Sequence, residues 1–117
     1  MKKIILSLPP SVNQQFGGGG GRFYKSEKAK DWFDAAGFDV LVQWGERNGE
    51  LKGKVRLFIY WFFKRERDID SGLKPLLDVL TGIVYQDDKQ VTEVNMRKYS
   101  DKEDPRVEIV IEEVLEL

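Results

Sequence analysis

The chain has 117 residues, 41% hydrophobic and 33% charged, which is the make-up of one globular domain and too little for two. It contains no cysteine and no histidine, so disulfides, Cys/His zinc sites, histidine bases and thiolate nucleophiles are excluded, and carboxylates remain as the candidate metal ligands. The net charge of −1 is unevenly spread: residues 101–117 hold seven acids against Lys102 and Arg106, so the preceding hundred residues carry +4. A mildly basic body of this kind suits a phosphate-binding face, although chance clustering on a solvated surface explains the charges equally well.

In chain order, Ile4, Leu6 and Leu8 alternate with Lys3, Ile5 and Ser7, which predicts a strand over residues 3–8 ended by Pro9 and Pro10. The two prolines also cut short the apolar run that follows Lys2-Lys3. No small-residue cleavage site follows and no segment reaches membrane-spanning length, so the expectation is a soluble, cytoplasmic chain with no membrane partner. Gly17 to Gly21 are expected to form a mobile loop without regular structure, because glycine loses so much backbone entropy on ordering. That run lacks the strand and Lys-Ser/Thr helix context of a phosphate cradle, so no nucleotide cofactor is expected.

Ser26 is a good N-cap, and Ala29, Trp32, Phe33, Ala36, Val40 and Trp44 recur at helical spacing, which predicts one helix over 26–44. Phe38, Val40, Val42 and Trp44 also alternate with period two, leaving a strand over 38–44 as the alternative. Val55 to Phe63, β-branched and aromatic on nearly both faces, reads as a central strand. A helix in the seventies carries Leu73, Leu76, Leu77 and Leu80 on one face. It starts near Ser71 or Gly72, because Pro75 is tolerated only in a first turn, and ends near Gly82. Strands over 91–99 and 106–112 complete an α+β fold: a single small domain with a mixed β-sheet packed by two helices.

The chemistry concentrates in Lys64-Arg65-Glu66-Arg67-Asp68-Ile69-Asp70-Ser71-Gly72-Leu73-Lys74-Pro75-Leu76-Leu77-Asp78 and in Asp87-Asp88. If the strand continues past Phe63, Asp68 and Asp70 project from one face. Lys74 follows one helical turn after Asp70, and a helix returning along the sheet would bring Asp87 or Asp88 back to the pair. Two carboxylates 4 Å apart repel by about 4 kcal/mol at an effective dielectric near 20, so such a cluster needs protonation or a bridging cation. Oxygen ligands without histidine or cysteine favour Mg²⁺, with Mn²⁺ as the alternative, and the ion keeps positions open for phosphate oxygens. Lys64, Arg65 and Arg67 flank the acids as candidate phosphate contacts. Each feature alone has a plain structural explanation: a helix cap, an exposed ion pair or a turn.

The motif Asp68-Ile69-Asp70-Ser71-Gly72-Leu73-Lys74, followed by Asp78 and by Val84-Tyr85-Gln86-Asp87-Asp88-Lys89-Gln90-Val91, resembles the RusA family of Holliday-junction resolvases. Leu8-Pro9-Pro10-Ser11-Val12-Asn13 and the Arg22 to Ser26 stretch are similar to the family's opening. The resemblance implies that Asp68, Asp70 and Asp88 are catalytic metal ligands and Lys74 the essential lysine. Asp78 and Asp87 stand at supporting motif positions, Asp87 as a further candidate ligand, and Asn13 and Arg22 are candidate DNA contacts. Ser71 departs from the family's usual Asn. The resemblance further implies a bacterial or prophage-encoded homodimer that nicks four-way junction DNA in pairs with Mg²⁺, in recombination and repair. The alternatives are a non-catalytic DNA-binding phage accessory protein and a Mg²⁺-dependent phosphatase.

Overall fold

The computed structural model describes residues 2–10, 16–19, 22–25 and 27–115. In chain order these form β1 (Lys2–Leu6), β2 (Phe16–Gly19), β3 (Arg22–Lys25), α1 (Glu27–Gln43), the single turn α2 (Gly45–Asn48), β4 (Lys54–Phe63) and α3 (Leu73–Leu80). A 3-10 turn over Asp88–Gln90 then leads into β5 (Val91–Ser100), and β6 (Arg106–Val114) follows. The main sheet has the order β1-β6-β4-β5, with β4 and β5 parallel and the other pairs antiparallel, so it is mixed as expected. α3 is the crossover that parallel neighbours require.

β4 is the central strand, and its period-two pattern sets the two faces of the sheet. Val55, Leu57, Ile59, Trp61 and Phe63 are buried, while Arg56, Phe58, Tyr60 and Phe62 between them are only partly covered. The buried row packs with Ile4 and Leu6 of β1, Val107, Ile109 and Ile111 of β6, and the inward residues of α1 and α3. Burial of each large apolar side chain contributes about 1.5–3 kcal/mol, so this one-sided core is the main source of stability.

α1 buries Ala29, Trp32, Ala36 and Val40, followed by Trp44, a helical stripe that decides the 38–44 ambiguity for helix. The period-two alternative fails because Phe38 and Val42, each 67% exposed, point away from the core. The indoles of Trp32 and Trp44 donate to the Ser7 and Gly49 carbonyls at 3.1 and 2.6 Å. Gln43 at the helix end uses its amide as a surrogate strand: Oε1 accepts from Ile5 N at 2.8 Å and Nε2 donates to Ile5 O at 2.7 Å. The free edge of β1 is thereby capped at Ile5.

The expectation that Gly17 to Gly21 hold no regular structure is corrected for Gly17, Gly18 and Gly19. They lie in β2, opposite Tyr24, Phe23 and Arg22 of β3. A ladder needs only backbone groups, and β3 supplies the partner that the entropy argument ignored. Gly20, Gly21 and the Ser26 cap fall outside the described residues. Among the described residues no helix is long and apolar enough to cross a membrane.

Candidate active site

β4 stops at Phe63 because both of its partners stop there. Phe63 faces Ser100, the last residue of β5, and Phe62 faces Arg106, the first of β6. Asp101 N closes the ladder on Phe63 O at 2.8 Å. The expectation that Asp68 and Asp70 share one face of a continuing strand is therefore corrected: with no neighbour to bond, residues 64–72 turn instead. Ser71 N donates to Asp68 O at 3.1 Å and Leu73 N to Asp70 O at 3.2 Å, so both aspartates stand on consecutive turns leading into α3.

Arg67 ties this loop down. Its Nε donates to Ser71 Oγ at 3.1 Å, its Nη2 to Pro9 O at 3.0 Å, and its guanidinium lies 5.0 Å from the Phe63 ring centroid. Burial, which disfavours the charged form, lowers its pKa below the ordinary guanidinium value. Arg67, a candidate phosphate contact on sequence, thus commits two donors inward. Lys98 of β5 adds a second tie, donating to Arg67 O at 3.0 Å and to the Glu66 carboxylate. Lys64 and Arg65 remain exposed.

The start of α3 is fixed by a close approach. A Cβ added at Gly72, the N-cap residue, would sit 2.6 Å from Pro9 Cγ and 3.4 Å from the Trp61 ring, so glycine alone lets the helix begin this close to the sheet. On the first turn, Lys74 Nζ lies 2.9 Å from Asp78 Oδ1 and 3.4 Å from Asp88 Oδ2. The bond to Asp78, then its charge, then the bond to Asp88 raise the Lys74 pKa, so this ammonium stays protonated beyond the ordinary lysine range.

Asp88 is positioned by a turn held by the side chains of Asp87 and Gln90. Asp87 Oδ1 accepts from Lys89 N at 2.9 Å, while Gln90 Oε1 accepts from Gln86 N and Asp87 N at 2.9 and 3.0 Å, a capping box. Gln90 Nε2 donates to Leu51 O and Gly53 O at 2.9 and 2.8 Å, binding the turn to the segment before β4. Behind it, the buried Tyr85 hydroxyl donates to Leu77 O at 2.9 Å, and burial raises its pKa. The part Gln90 plays in fixing this turn is what sequence reasoning missed. The Asp-x-x-Gln spacing of a capping box was the signal that could have found it.

The structure brings together Lys74, Asp78 and Asp88. It does not bring Asp68, Asp70 and Asp88 into one cluster: among the described residues, no three acidic side chains lie close enough to hold a metal ion. Asp87, a candidate ligand on sequence, has one carboxylate oxygen engaged as a cap. The exposed carboxylates of Asp68 and Asp70 make no hydrogen bond or ion pair with described residues. Asp68 and Asp70 thus offer hard carboxylate oxygens to solvent, the donor type that Mg²⁺ prefers. Asn13 lies outside the described residues, and of Arg22 only the backbone in β3 is described.

These features define a small α+β domain with a lysine and several acids gathered at the start of its crossover helix. The family model described as Endodeoxyribonuclease RusA matches residues 7–112, and the chain belongs to the RusA family. A 47-residue stretch is 40% identical to the uncharacterised protein YqaN of Bacillus subtilis (strain 168), covering 40% of this chain and 32% of that protein. The match thus spans about a third of that relative's length.

Proposed function

We propose that the protein is a Mg²⁺-dependent, structure-selective DNA endonuclease that resolves Holliday junctions by paired nicks in recombination and repair, working in the cytoplasm. The observation that carries this reading is the match to the RusA family across the whole stretch holding Asp68, Asp70, Lys74 and Asp88. Two strands of a two-fold junction must be cut, so a homodimer with one site per strand is the assembly proposed.

In this reading the open carboxylates of Asp68 and Asp70 take the divalent ion, and Asp88, which is not clustered with them in the structure, joins them only once metal and DNA are bound. When bound, the ion polarises the scissile phosphate and makes a hydroxide-like nucleophile available near neutral pH. The work of the chain itself is positional and electrostatic. Arg67, Pro9 and Ser71 hold the loop that presents Asp68 and Asp70. Gln90 and Asp87 fix the turn that presents Asp88. Lys74, kept protonated by Asp78 and Asp88, offers a positive charge to the excess negative charge of the phosphoryl transition state. Lys64 and Arg65 contact neighbouring phosphates, contributing affinity without sequence information.

The test is a synthetic four-way junction incubated with the protein, with and without Mg²⁺. Wild type is expected to release paired nicked products only with the metal, and Asp70→Asn is expected to bind the junction without cutting it. If wild type binds but does not nick in Mg²⁺ or Mn²⁺, the chain is a DNA-binding protein that keeps the acidic turns as structure. Turnover of small phosphoesters without junction cleavage would instead point to a phosphatase.

A further inference from the structure

The chain treats the two edges of its main sheet differently. β1 is five residues long and is capped at Ile5 by the Gln43 amide. β5, at the other edge, runs for ten residues, and among the described residues no strand pairs with its outer side. A long edge presents a row of unpaired N–H and C=O groups, which proteins guard with a proline, a bulge or an inward-pointing charge. β5 has no proline, and its one irregularity lies at its start, where the register with β4 shifts between Val55 and Arg56. Its inward lysine, Lys98, is already tied to its own chain through Arg67 O and the Glu66 carboxylate. From Glu93 to Ser100 the ladder is regular, so the outer side of β5 is a continuous template for another strand.

Pairing with β4 sorts the side chains of this template onto two faces. Glu93, Asn95 and Arg97 stand with Arg56, Phe58 and Tyr60 on the face away from the helices, while Val94 and Met96 stand with Leu57 and Ile59 and pack against the core. On the outer face the Arg56 guanidinium serves two acids, Glu93 and Glu112, at 3.1 Å each. Arg97 is exposed and makes no ion pair or hydrogen bond with described residues. One strand face therefore carries an acid that shares its cation and, four residues on, a cation without an acid among the described residues.

We infer that β5 pairs antiparallel with β5 of a second copy of the chain, about a two-fold axis at Asn95, joining two four-stranded sheets into one of eight. The axis position follows from the side chains. At Asn95 it sets Glu93 of each copy opposite Arg97 of the other and Val94 opposite Met96 on the core side, so both charge pairs and both apolar pairs form at once. An axis at Val94 or Met96 leaves Glu93 and Arg97 without charged partners, and one at Glu93 or Arg97 sets like charges face to face. An extended segment of another protein would satisfy the backbone groups but not this self-complementary pattern. The pairing gives the homodimer of the proposed function its contact surface, yet it does not depend on cleavage, so either claim can fail without the other.

The experiment measures self-association of the full chain by sedimentation velocity over a range of concentrations, in EDTA and without DNA. Wild type is expected to dimerise. Arg97→Glu and Glu93→Arg are each expected to weaken association roughly tenfold or more, because each sets like charges opposite one another twice per dimer. An equimolar mixture of the two variants is expected to associate as tightly as wild type, since every like pair then becomes an opposite pair, a rescue that a folding defect does not produce. The chain has no cysteine of its own, so Asn95→Cys, at the position that meets its own counterpart, is expected to give a disulfide-linked dimer on mild oxidation. That variant keeps the test open if a charge variant does not fold. A mixture no tighter than its components, or Asn95→Cys that cross-links no faster than Ser100→Cys, would overturn the inference. Wild type that stays monomeric at every concentration would overturn it too, leaving the edge to a strand from another protein.

Discussion

At the turn before β5, side chains and backbone satisfy one another: Asp87 caps, Gln90 makes four hydrogen bonds in two directions, and Asp88 faces the Lys74 ammonium. In the loop after β4 the anchoring comes from Arg67 and Lys98 gripping neighbouring groups, while the carboxylates of Asp68 and Asp70 face solvent without partners among the described residues. The two regions supply acids to one motif, yet one is neutralised from within and the other is not. A carboxylate already paired has less to gain from a cation than one left open, so in the proposed reading the loop would present the stronger ligands and the turn the better-fixed one.

Removing the charge that faces the turn tests the contrast most severely. Lys74→Met is expected to slow junction nicking by roughly two orders of magnitude. It should barely move the melting temperature, because an exposed pair contributes under about 1 kcal/mol. Wild-type nicking in that variant would reduce the lysine to a surface ion pair. Next in size is Gly72→Ala, which forces a Cβ against Pro9 and should cost about 1–3 kcal/mol in urea unfolding. Unchanged stability there would show that the start of α3 is not held by this contact. Gln90→Ala strips the turn of its ties and is expected to cost about 1–2 kcal/mol, with faster amide exchange at Gln86 and Asp87. Exchange at the wild-type rate would contradict the account of the turn.

The smallest effect concerns a third region wired like the turn, the connection from β5 to β6. The Asp104 N–H and then Arg106 hold the Asp101 carboxyl below its ordinary value, and Lys3 and then Arg106 do the same for Glu108. Depressed folded values mean that their stabilisation is complete above the unfolded values and is lost as pH falls through the folded ones. The urea midpoint should therefore hold from neutrality to about pH 5 and drop below about pH 4. Asp101→Asn is expected to make that drop smaller, and an identical drop in the variant would contradict the assignment.

Local pattern made much of this legible in advance. The stripe from Ala29 to Trp44, the aromatic run of β4 and the spacing of Lys74 to Asp78 depend on periodicity within one element, and all appear as read. What escaped the sequence depends on neighbours. The end of β4 at Phe63 follows from where β5 and β6 end, so the course of Asp68 and Asp70 could not be read from their alternation. The strand in the glycine run needs β3, and the inward commitment of Arg67 needs Pro9, nearly sixty residues earlier in the chain. The spacing of the acids belongs to the same class, since it is set by the crossover and not by any local signal.

The most direct measurement compares the two regions within one assay: the Mg²⁺ dependence of four-way-junction nicking by wild type, Asp87→Asn and Asp70→Asn. An Asn cap preserves the turn, so Asp87→Asn is predicted to follow the wild-type metal dependence, whereas Asp70→Asn is predicted to nick at no metal concentration. Equal loss in both variants, or activity in Asp70→Asn, would contradict the claim that the open carboxylates of the loop hold the divalent ion.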